Sequence, residues 1–301
     1  MGIDRADDGD AGDTPTRLPA HAADGDAASP LDARERAAEH ARYRARVEDY
    51  GAARDAWVEA LPGLHADWQR HVEKYPERER PAPRTQPDGS WVADGGRELS
   101  PEQNAEASKA CADITEEGKE VILPAMKRIE AADPDRQLAG LENMLKGDDR
   151  LKEKIADRLR YQPDLSPRQA AAEVPDAVRF TLAYSETHYT NGVLADVDRL
   201  KAEGFELIKL KNLWAKDQYK GINSQWCRPE TGLRFEMQFH TPESLDAKEL
   251  THKAYERIRD PLTSKDEESE LEDYQRRVNA VVKLPPNVFV IEDYPPEKRD
   301  G

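Results

Sequence analysis

The stretch LRFEMQFH, residues 233–240, constrains the fold of this chain more tightly than any other segment. Its apolar and polar side chains alternate without a break: Leu233, Phe235, Met237 and Phe239 against Arg234, Glu236, Gln238 and His240. Successive side chains of a β-strand point to opposite faces, so this alternation predicts a strand with one apolar and one polar face. The polar face is either ordinary solvated surface or a row of groups that bind a ligand and exchange protons.

The segments on either side of this strand favour the second interpretation. Residues 222–228 form another short strand-like run, and PETG at 229–232 suits a turn that closes through a glycine with positive φ. Thr241 can then cap a helix that has Pro242 at its first position. The sequence therefore predicts a hairpin followed by a helix, with the polar row ending at their junction.

Charge and cysteine content exclude several classes of protein. The chain has 301 residues and a formal net charge of −16, which argues against a general binder of nucleic acid or of membrane surfaces. Cys111 and Cys227 lie far apart without metal-ligand spacing, so we expect reduced thiols. No apolar run is typical of a signal peptide or a membrane span. We therefore expect a cytoplasmic protein with no membrane partner, unless a separate machinery exports it.

The first half of the chain predicts helices. Residues 1–30 are predicted to be a disordered acidic lead, and residues 31–135 an all-helical region with a Pro- and Gly-rich linker at 76–96. Helices are expected at 65–74, from 100 to about 132, and from 134 to 145. An apolar stripe marks the first helix of the region: Tyr43, Val47, Tyr50, Ala53, Trp57 and Leu61. Because the linker lets this helix move away from the rest of the chain, we expect it to fold separately or to bind a protein partner. We also expect the chain without residues 1–96 to stay active.

Residues 136–262 predict a small α/β domain. Strands are expected at 174–184, at 205–214 and in the hairpin, with helices at 194–203 and after Thr241. This order predicts a small mixed sheet that contains an antiparallel hairpin and is flanked by helices. Residues 263–301 predict a C-terminal helix at 267–282, a short strand at 288–291 and a tail.

Two groups of side chains in this domain are candidates for ligand binding and catalysis. Residues 145–160 concentrate cations that form either a solvated helix face or a polyphosphate clamp: Lys146, Arg150, Lys152, Lys154, Arg158 and Arg160. The strands and loops add a one-sided polar set: Asp176, Arg179, Lys209, Lys211, Tyr219, Asn223, Arg234, Glu236, Gln238 and His240. An acid for a metal ion, cations for phosphate and a central carboxylate are what phosphoryl-type transfer requires.

These pieces resemble the synthetase domain of the RelA/SpoT family, and within it the small actinobacterial and phage-associated branch. The matching motifs are LKGDDRLKEK, PDAVRF, YKGIN, FEMQ followed by HT, and THKAYE, which together cover about residues 145–259. The resemblance implies a fold related to nucleotidyltransferases. It also implies an ATP-dependent pyrophosphokinase that transfers the β,γ-diphosphate of ATP to the 3′-hydroxyl of a nucleotide.

The resemblance also assigns roles to single residues. Glu236 resembles the carboxylate that acts on the 3′-hydroxyl. Asp176 resembles the Mg²⁺ ligand, and Glu236 is expected to be a second ligand. Arg179 is expected to be the third catalytic residue. The residues expected to contact the ATP phosphates are Lys146, Arg150, Lys152, Lys154, Lys211 and Arg234. Contacts with the acceptor fall to Tyr219, Asn223, Gln238 and His240.

Two departures from the family pattern bear on these roles. Asp176 lies closer to Arg179 than in the long stringent-response enzymes, and His240 stands where those enzymes usually place arginine. The sequence contains no adjacent His-Asp pair, so the hydrolase half of the bifunctional members is not expected.

The identity of the acceptor stays open at the level of sequence. GDP, GTP or an adenine nucleotide would make an alarmone-type product, and the 3′ end of tRNA is the acceptor of toxin-type members of the family. The net charge weighs mildly against tRNA. A different class of function also competes: a degenerate synthetase fold whose N-terminal helices dock to a phage or secretion component.

Overall fold

The computed structural model describes residues 51–78 and 80–296. The acidic segment 1–30 and the stripe residues Tyr43, Val47 and Tyr50 lie outside the described residues, so those expectations stay predictions. In the described part of the chain, no helix is both long and apolar enough to cross a bilayer.

Eight α-helices occur in the described ranges. Their bounds are α1 Gly51–Lys74, α2 Pro101–Glu117, α3 Leu123–Ala131, α4 Asp148–Tyr161, α5 Pro167–Ala172, α6 Tyr189–Ala202, α7 Pro242–Ile258 and α8 Lys265–Ala280. Capping boxes at Ser100, Ser166 and Thr241 start α2, α5 and α7, each with a proline in the first turn. The helix starts expected at residue 100 and after Thr241 are therefore confirmed.

The strands form two sheets. Their bounds are β1 Arg84–Thr85, β2 Trp91–Ala93, β3 Arg97–Leu99, β4 Arg136–Ala139, β5 Arg179–Tyr184, β6 Glu206–Asn212, β7 Ile222–Cys227 and β8 Arg234–His240. The larger sheet has the order β4-β5-β8-β7-β6, in which β5 and β8 run parallel and every other neighbouring pair is antiparallel. The predicted mixed sheet and its antiparallel hairpin are thus confirmed.

One face of this sheet forms the core of the protein. Phe180 pairs with Met237, and Trp226 with Phe235, and all four side chains are buried. Side chains directly opposite each other on neighbouring strands share a face, so these pairs make one continuous apolar layer. The polar residues of the strands consequently share the other face.

The prediction of an all-helical N-terminal region is wrong for residues 84–99. Strands β1, β2 and β3 form a three-stranded antiparallel sheet within and just after the predicted linker. Gly89, with φ of +89°, makes the turn between the first two strands. Trp91 and Leu99 are buried and anchor the sheet. The proline and glycine content that suggested a linker in fact marks turns between very short strands.

The expected freedom of the first helix is also not observed. Instead of breaking before 65–74, α1 continues through Pro62 to Lys74. Trp57 is fully buried and donates a hydrogen bond from Nε1 to Asp246 Oδ2 of α7 (3.2 Å). Near its other end, the Trp68 ring packs against Tyr274 of α8 at 5.6 Å between centroids. The helix is therefore part of the same core as the larger sheet.

Three further predictions of local structure are wrong. The helix expected at 134–145 is the edge strand β4 followed by a 3₁₀ turn, Leu141–Asn143. The strand expected at 174–184 begins only at Arg179, after a 3₁₀ turn at Pro175–Ala177. The strand expected at 288–291 is a 3₁₀ turn as well. For β4, pairing with β5 along its whole length overrides the local preference of the segment.

Candidate active site

Strand register brings the polar residues of four strands together. Glu236 of β8 lies between Arg179 of β5 and Gln225 of β7, and Lys209 of β6 lies opposite Gln225. A second row lies beside the first and contains Thr181, Gln238, Asn223 and Lys211. Directly opposed residues point to the same side, so both rows belong to one polar face. The one-sided set expected from the sequence is assembled here by pairing between strands.

Glu236 holds the centre of the first row and is partly exposed. Its carboxylate accepts a hydrogen bond from the Gln238 side-chain amide. Its backbone N–H donates to Val178 O (2.9 Å), which ties the start of β8 to the turn that carries Asp176. The carboxylate is therefore positioned from its own strand and from the neighbouring turn.

Asp176 lies at the entrance to β5 within a group of lysines. Lys146 Nζ is 3.1 Å and Lys154 Nζ is 3.8 Å from Asp176 Oδ2. Burial by itself would raise the pKa of Asp176, but the two lysines outweigh it and hold that pKa below its ordinary value. Burial lowers the pKa of Lys146, and the Asp176 charge opposes this shift. The carboxylate is thus kept ionised next to two cations.

Backbone hydrogen bonds fix this group. Lys146 N–H donates to Ala177 O (3.0 Å) and Arg179 N–H donates to Met144 O (2.7 Å). Residues 144–146 therefore run antiparallel beside 177–179, just before α4. This contact brings the basic segment against the Asp176 turn, although the two are far apart in sequence.

The cations of α4 divide between two sides of the helix. Arg150 and Lys154 are four residues apart in the helix and share one side, and Lys146, just before the helix, joins them through its ion pair with Asp176. Arg150 is well exposed and pairs with Glu153 (3.3 Å). Lys152 is only 9 % exposed and lies on the opposite, buried side of α4. Of the predicted phosphate ligands on this segment, Lys152 is therefore the one that the fold separates from the others.

Tyr219 is held by a chain of hydrogen bonds to side chains of the polar face. Its hydroxyl lies 2.7 Å from Asn223 Oδ1, to which it donates, and 2.9 Å from His240 Nε2. His240 Nδ1 is in turn 2.9 Å from Ser244 Oγ of α7. The ring of Tyr219 keeps partial exposure while its hydroxyl end is enclosed, and burial raises the pKa of that hydroxyl.

His240 lies deeper than the sequence suggests. It is 0 % exposed, and burial lowers its pKa well below 6.5, so the imidazole is neutral at physiological pH. A neutral, enclosed ring supplies no positive charge to a phosphate group. Its contacts are those of a group that holds Tyr219 and Ser244 in position.

Lys211 and Arg234 lie towards the margins of the polar face. Lys211 Nζ forms an ion pair with Asp293 Oδ2 of the C-terminal segment (2.7 Å). Arg234 lies 3.9 Å from Glu173 Oε1. A phosphate group would have to compete with these carboxylates for either cation.

Lys248 and His252 of α7 were not predicted as site residues from the sequence. They follow Ser244 at four-residue intervals, and Ser244 contacts His240. Their signal was available: once Thr241 is taken as the helix cap, the spacing 244, 248, 252 defines one side of the helix. What the sequence did not show is that this side faces the sheet.

The carboxylates of the site are of the ligand type that Mg²⁺ prefers. Among the described residues, no group of three or more His, Cys, Asp or Glu side chains could hold a metal ion. Mg²⁺ usually takes one or two carboxylates, with substrate phosphates and water completing its coordination. Asp176 precedes β5 and Glu236 lies near the start of the adjacent β8, so in number and type these two carboxylates match the protein ligands that Mg²⁺ usually takes.

Compared with known proteins, the chain matches no family model, and no curated protein matches it at a significant level. The arrangement of side chains is therefore the main basis for assigning an activity, together with the resemblance of the motifs.

Proposed function

We propose that the protein is a Mg²⁺-dependent nucleotide pyrophosphokinase that transfers the β,γ-diphosphate of ATP to the 3′-hydroxyl of a nucleotide. The observation that carries this proposal is the position of Glu236. The carboxylate lies between Arg179 and Gln225 on an open polar face, next to the strand whose entrance carries Asp176 and its two lysines.

The donor side of the proposed reaction is the Asp176 group. Lys146 beside Asp176, together with Arg150 and Lys154 on one side of α4, supplies positive charge that would neutralise the phosphates of ATP. Asp176 and Glu236 would hold Mg²⁺, which supplies further charge neutralisation to the phosphoryl oxygens when bound. The lysines that pair with Asp176 would then turn to the phosphates.

The acceptor side is the second row and the loop before β7. The Tyr219 ring offers a surface on which a base can stack, and Asn223 and Gln238 offer amide groups beside it. Glu236 orients the 3′-hydroxyl and receives its proton. A bond forms between the 3′-oxygen and the β-phosphorus of ATP, the bond from that phosphorus to the α,β-bridging oxygen breaks, and AMP leaves.

Product analysis tests this proposal. The purified protein is incubated with Mg²⁺, ATP labelled at the γ-phosphate, and one acceptor at a time: GDP, GTP, ADP, ATP alone or tRNA. We expect AMP and a nucleotide that carries the label on its 3′ side. Label on tRNA would point to the toxin-type reaction, and no transfer to any acceptor would leave a binding module as the better interpretation.

A further inference from the structure

Helix α7 brings basic side chains to the polar face. These side chains belong to neither the proposed donor site nor the proposed acceptor site. Ser244 contacts His240, so the side of α7 that carries Ser244 faces the sheet. Lys248 and His252 follow on the same side of the helix. Because α7 starts directly after β8 and contacts both β5 and β8, Lys248 and His252 lie on the side of the helix that faces the strands of Arg179 and Glu236.

Lys248 is buried to an unusual degree for a lysine. Its side chain is 14 % exposed, and Nζ donates a hydrogen bond to Glu249 Oε1 (3.2 Å). Burial lowers the pKa of Lys248, the nearby charge of Arg179 lowers it further, and the charges of Glu249 and Glu236 oppose the shift. A buried lysine needs an anionic partner to offset its desolvation; Glu249 supplies one, and a bound anion would supply another.

Arg179 supplies a second cation to the same place. It is partly buried, and its guanidinium forms no hydrogen bond or ion pair with the side chains that the structure describes. Burial is the main cause of the lowered pKa values of Lys146, Lys248 and His252, and the charge of Arg179 adds to each of these shifts. His252 is about half exposed and lies 3.5 Å from Glu256 Oε1.

We propose that Arg179, Lys248 and His252 form an anion subsite on the α7 side of Glu236 that binds a diphosphate group of a substrate. Arg179 joins this subsite to the Lys146–Lys154 pair, so that a diphosphate can be held from both sides next to Glu236. Glu249 and Glu256 balance the charge of the subsite until the ligand displaces them. The assignment of the diphosphate to a substrate rests on the proposed function, whereas the anion site itself does not.

Titration calorimetry with inorganic pyrophosphate in the presence of Mg²⁺ tests the subsite without requiring turnover. Lys248→Met keeps the buried methylene chain and removes the charge, and His252→Gln alters a half-exposed position. Lys253→Met is the matched control, because Lys253 is exposed and pairs with Glu77 (3.4 Å) on another side of α7. Circular dichroism and thermal unfolding establish that each variant is folded.

We expect Lys248→Met to weaken pyrophosphate binding about tenfold or more, since a hydrogen bond to a charged group is lost. A smaller loss is expected for His252→Gln and none for Lys253→Met. Unchanged binding in folded Lys248→Met, or no binding by the unaltered protein, overturns the subsite. If Lys248→Met does not fold, His252→Gln decides, and unchanged affinity in that variant counts against the subsite.

Two further titrations identify the source of the diphosphate. Weaker binding of a non-hydrolysable ATP analogue to Lys248→Met assigns the subsite to the donor, and weaker binding of GDP assigns it to the acceptor. Unchanged affinity for both contradicts a role in substrate binding. The two proposals fail separately. If the unaltered protein transfers to no acceptor but Lys248→Met still weakens its pyrophosphate binding, the subsite is retained and the pyrophosphokinase is rejected.

Discussion

Tyr219 is positioned through its hydroxyl, which leaves its ring free to act on a ligand. Tyr219→Ala should raise the KM for the acceptor about tenfold while that for ATP changes little, because stacking of a base on an aromatic ring contributes roughly 1–3 kcal/mol. Tyr219→Phe is the matched control: it keeps the ring, loses hydrogen bonds to Asn223 and His240, and should cost about 1 kcal/mol in stability. Steady-state kinetics with each substrate varied distinguishes the two effects. A rise in the KM for ATP instead would contradict the stacking role.

His240 makes stability depend on pH in a defined direction. Its pKa in the folded protein lies well below 6.5, so the unfolded chain binds the proton more tightly. The stability that His240 contributes is therefore complete above pH 6.5 and is lost as the pH falls below that value. We expect the unfolding free energy to drop between pH 6.5 and 5 by up to about 1.4 kcal/mol per pH unit from this group. Urea unfolding at several pH values should show a shallower slope for His240→Asn, and an equal slope would refute this origin.

At the scale of an element, the loop that enters β7 depends on Gly221. This residue has φ of +151°, and a Cβ there would lie 2.7 Å from His240 Cε1. Gly221→Ala should therefore displace the imidazole, lower stability by about 1–3 kcal/mol, and weaken acceptor binding through Tyr219. Gly63→Ala in α1 is the control, since a Cβ there meets nothing within 4 Å and alanine favours a helix by about 1 kcal/mol. Thermal unfolding of both variants checks the prediction, and equal stabilities would refute it.

How much the sequence predicted also differs from element to element. The hairpin and α7 follow from local signals: strict alternation, a turn glycine and a capping box. Strand β4, with the sequence RQLA, has no such signal and becomes a strand only because it pairs with β5. The short strands at 84–99 depend in the same way on burial of Trp91 and Leu99.

In the candidate site, too, some features follow from local sequence signals and others depend on non-local contacts. Arg234, Glu236 and Gln238 could be placed on one face from alternation alone. The meeting of Lys146 with Asp176 depends on the contact between residues 144–146 and 177–179, which is non-local. The approach of Lys248 depends on how α7 packs, and the burial of Lys152 on how α4 packs. These features need the tertiary structure.

At the scale of the whole molecule, the N-terminal helix belongs to the core. Deleting residues 1–96 would remove Trp57 and Trp91, both buried, together with the contacts of α1 to α7 and α8. Loss of even one large buried aromatic side chain costs about 3–5 kcal/mol, which is much of a typical domain's stability. We therefore expect this deletion to abolish cooperative unfolding and activity, in contrast to the expectation from sequence. A soluble, active fragment would show that the helix is dispensable.

The central claim is that Glu236 acts on the acceptor at the middle of the polar face. The most direct measurement is the single-turnover rate of diphosphate transfer by Glu236→Gln, beside Glu230→Gln in the exposed hairpin turn as the matched control. We expect Glu236→Gln to lose about 10²–10⁴ in rate while its Tm and its affinity for ATP stay near those of the unaltered protein, and Glu230→Gln to keep its rate. Transfer by folded Glu236→Gln at close to the normal rate would contradict the claim.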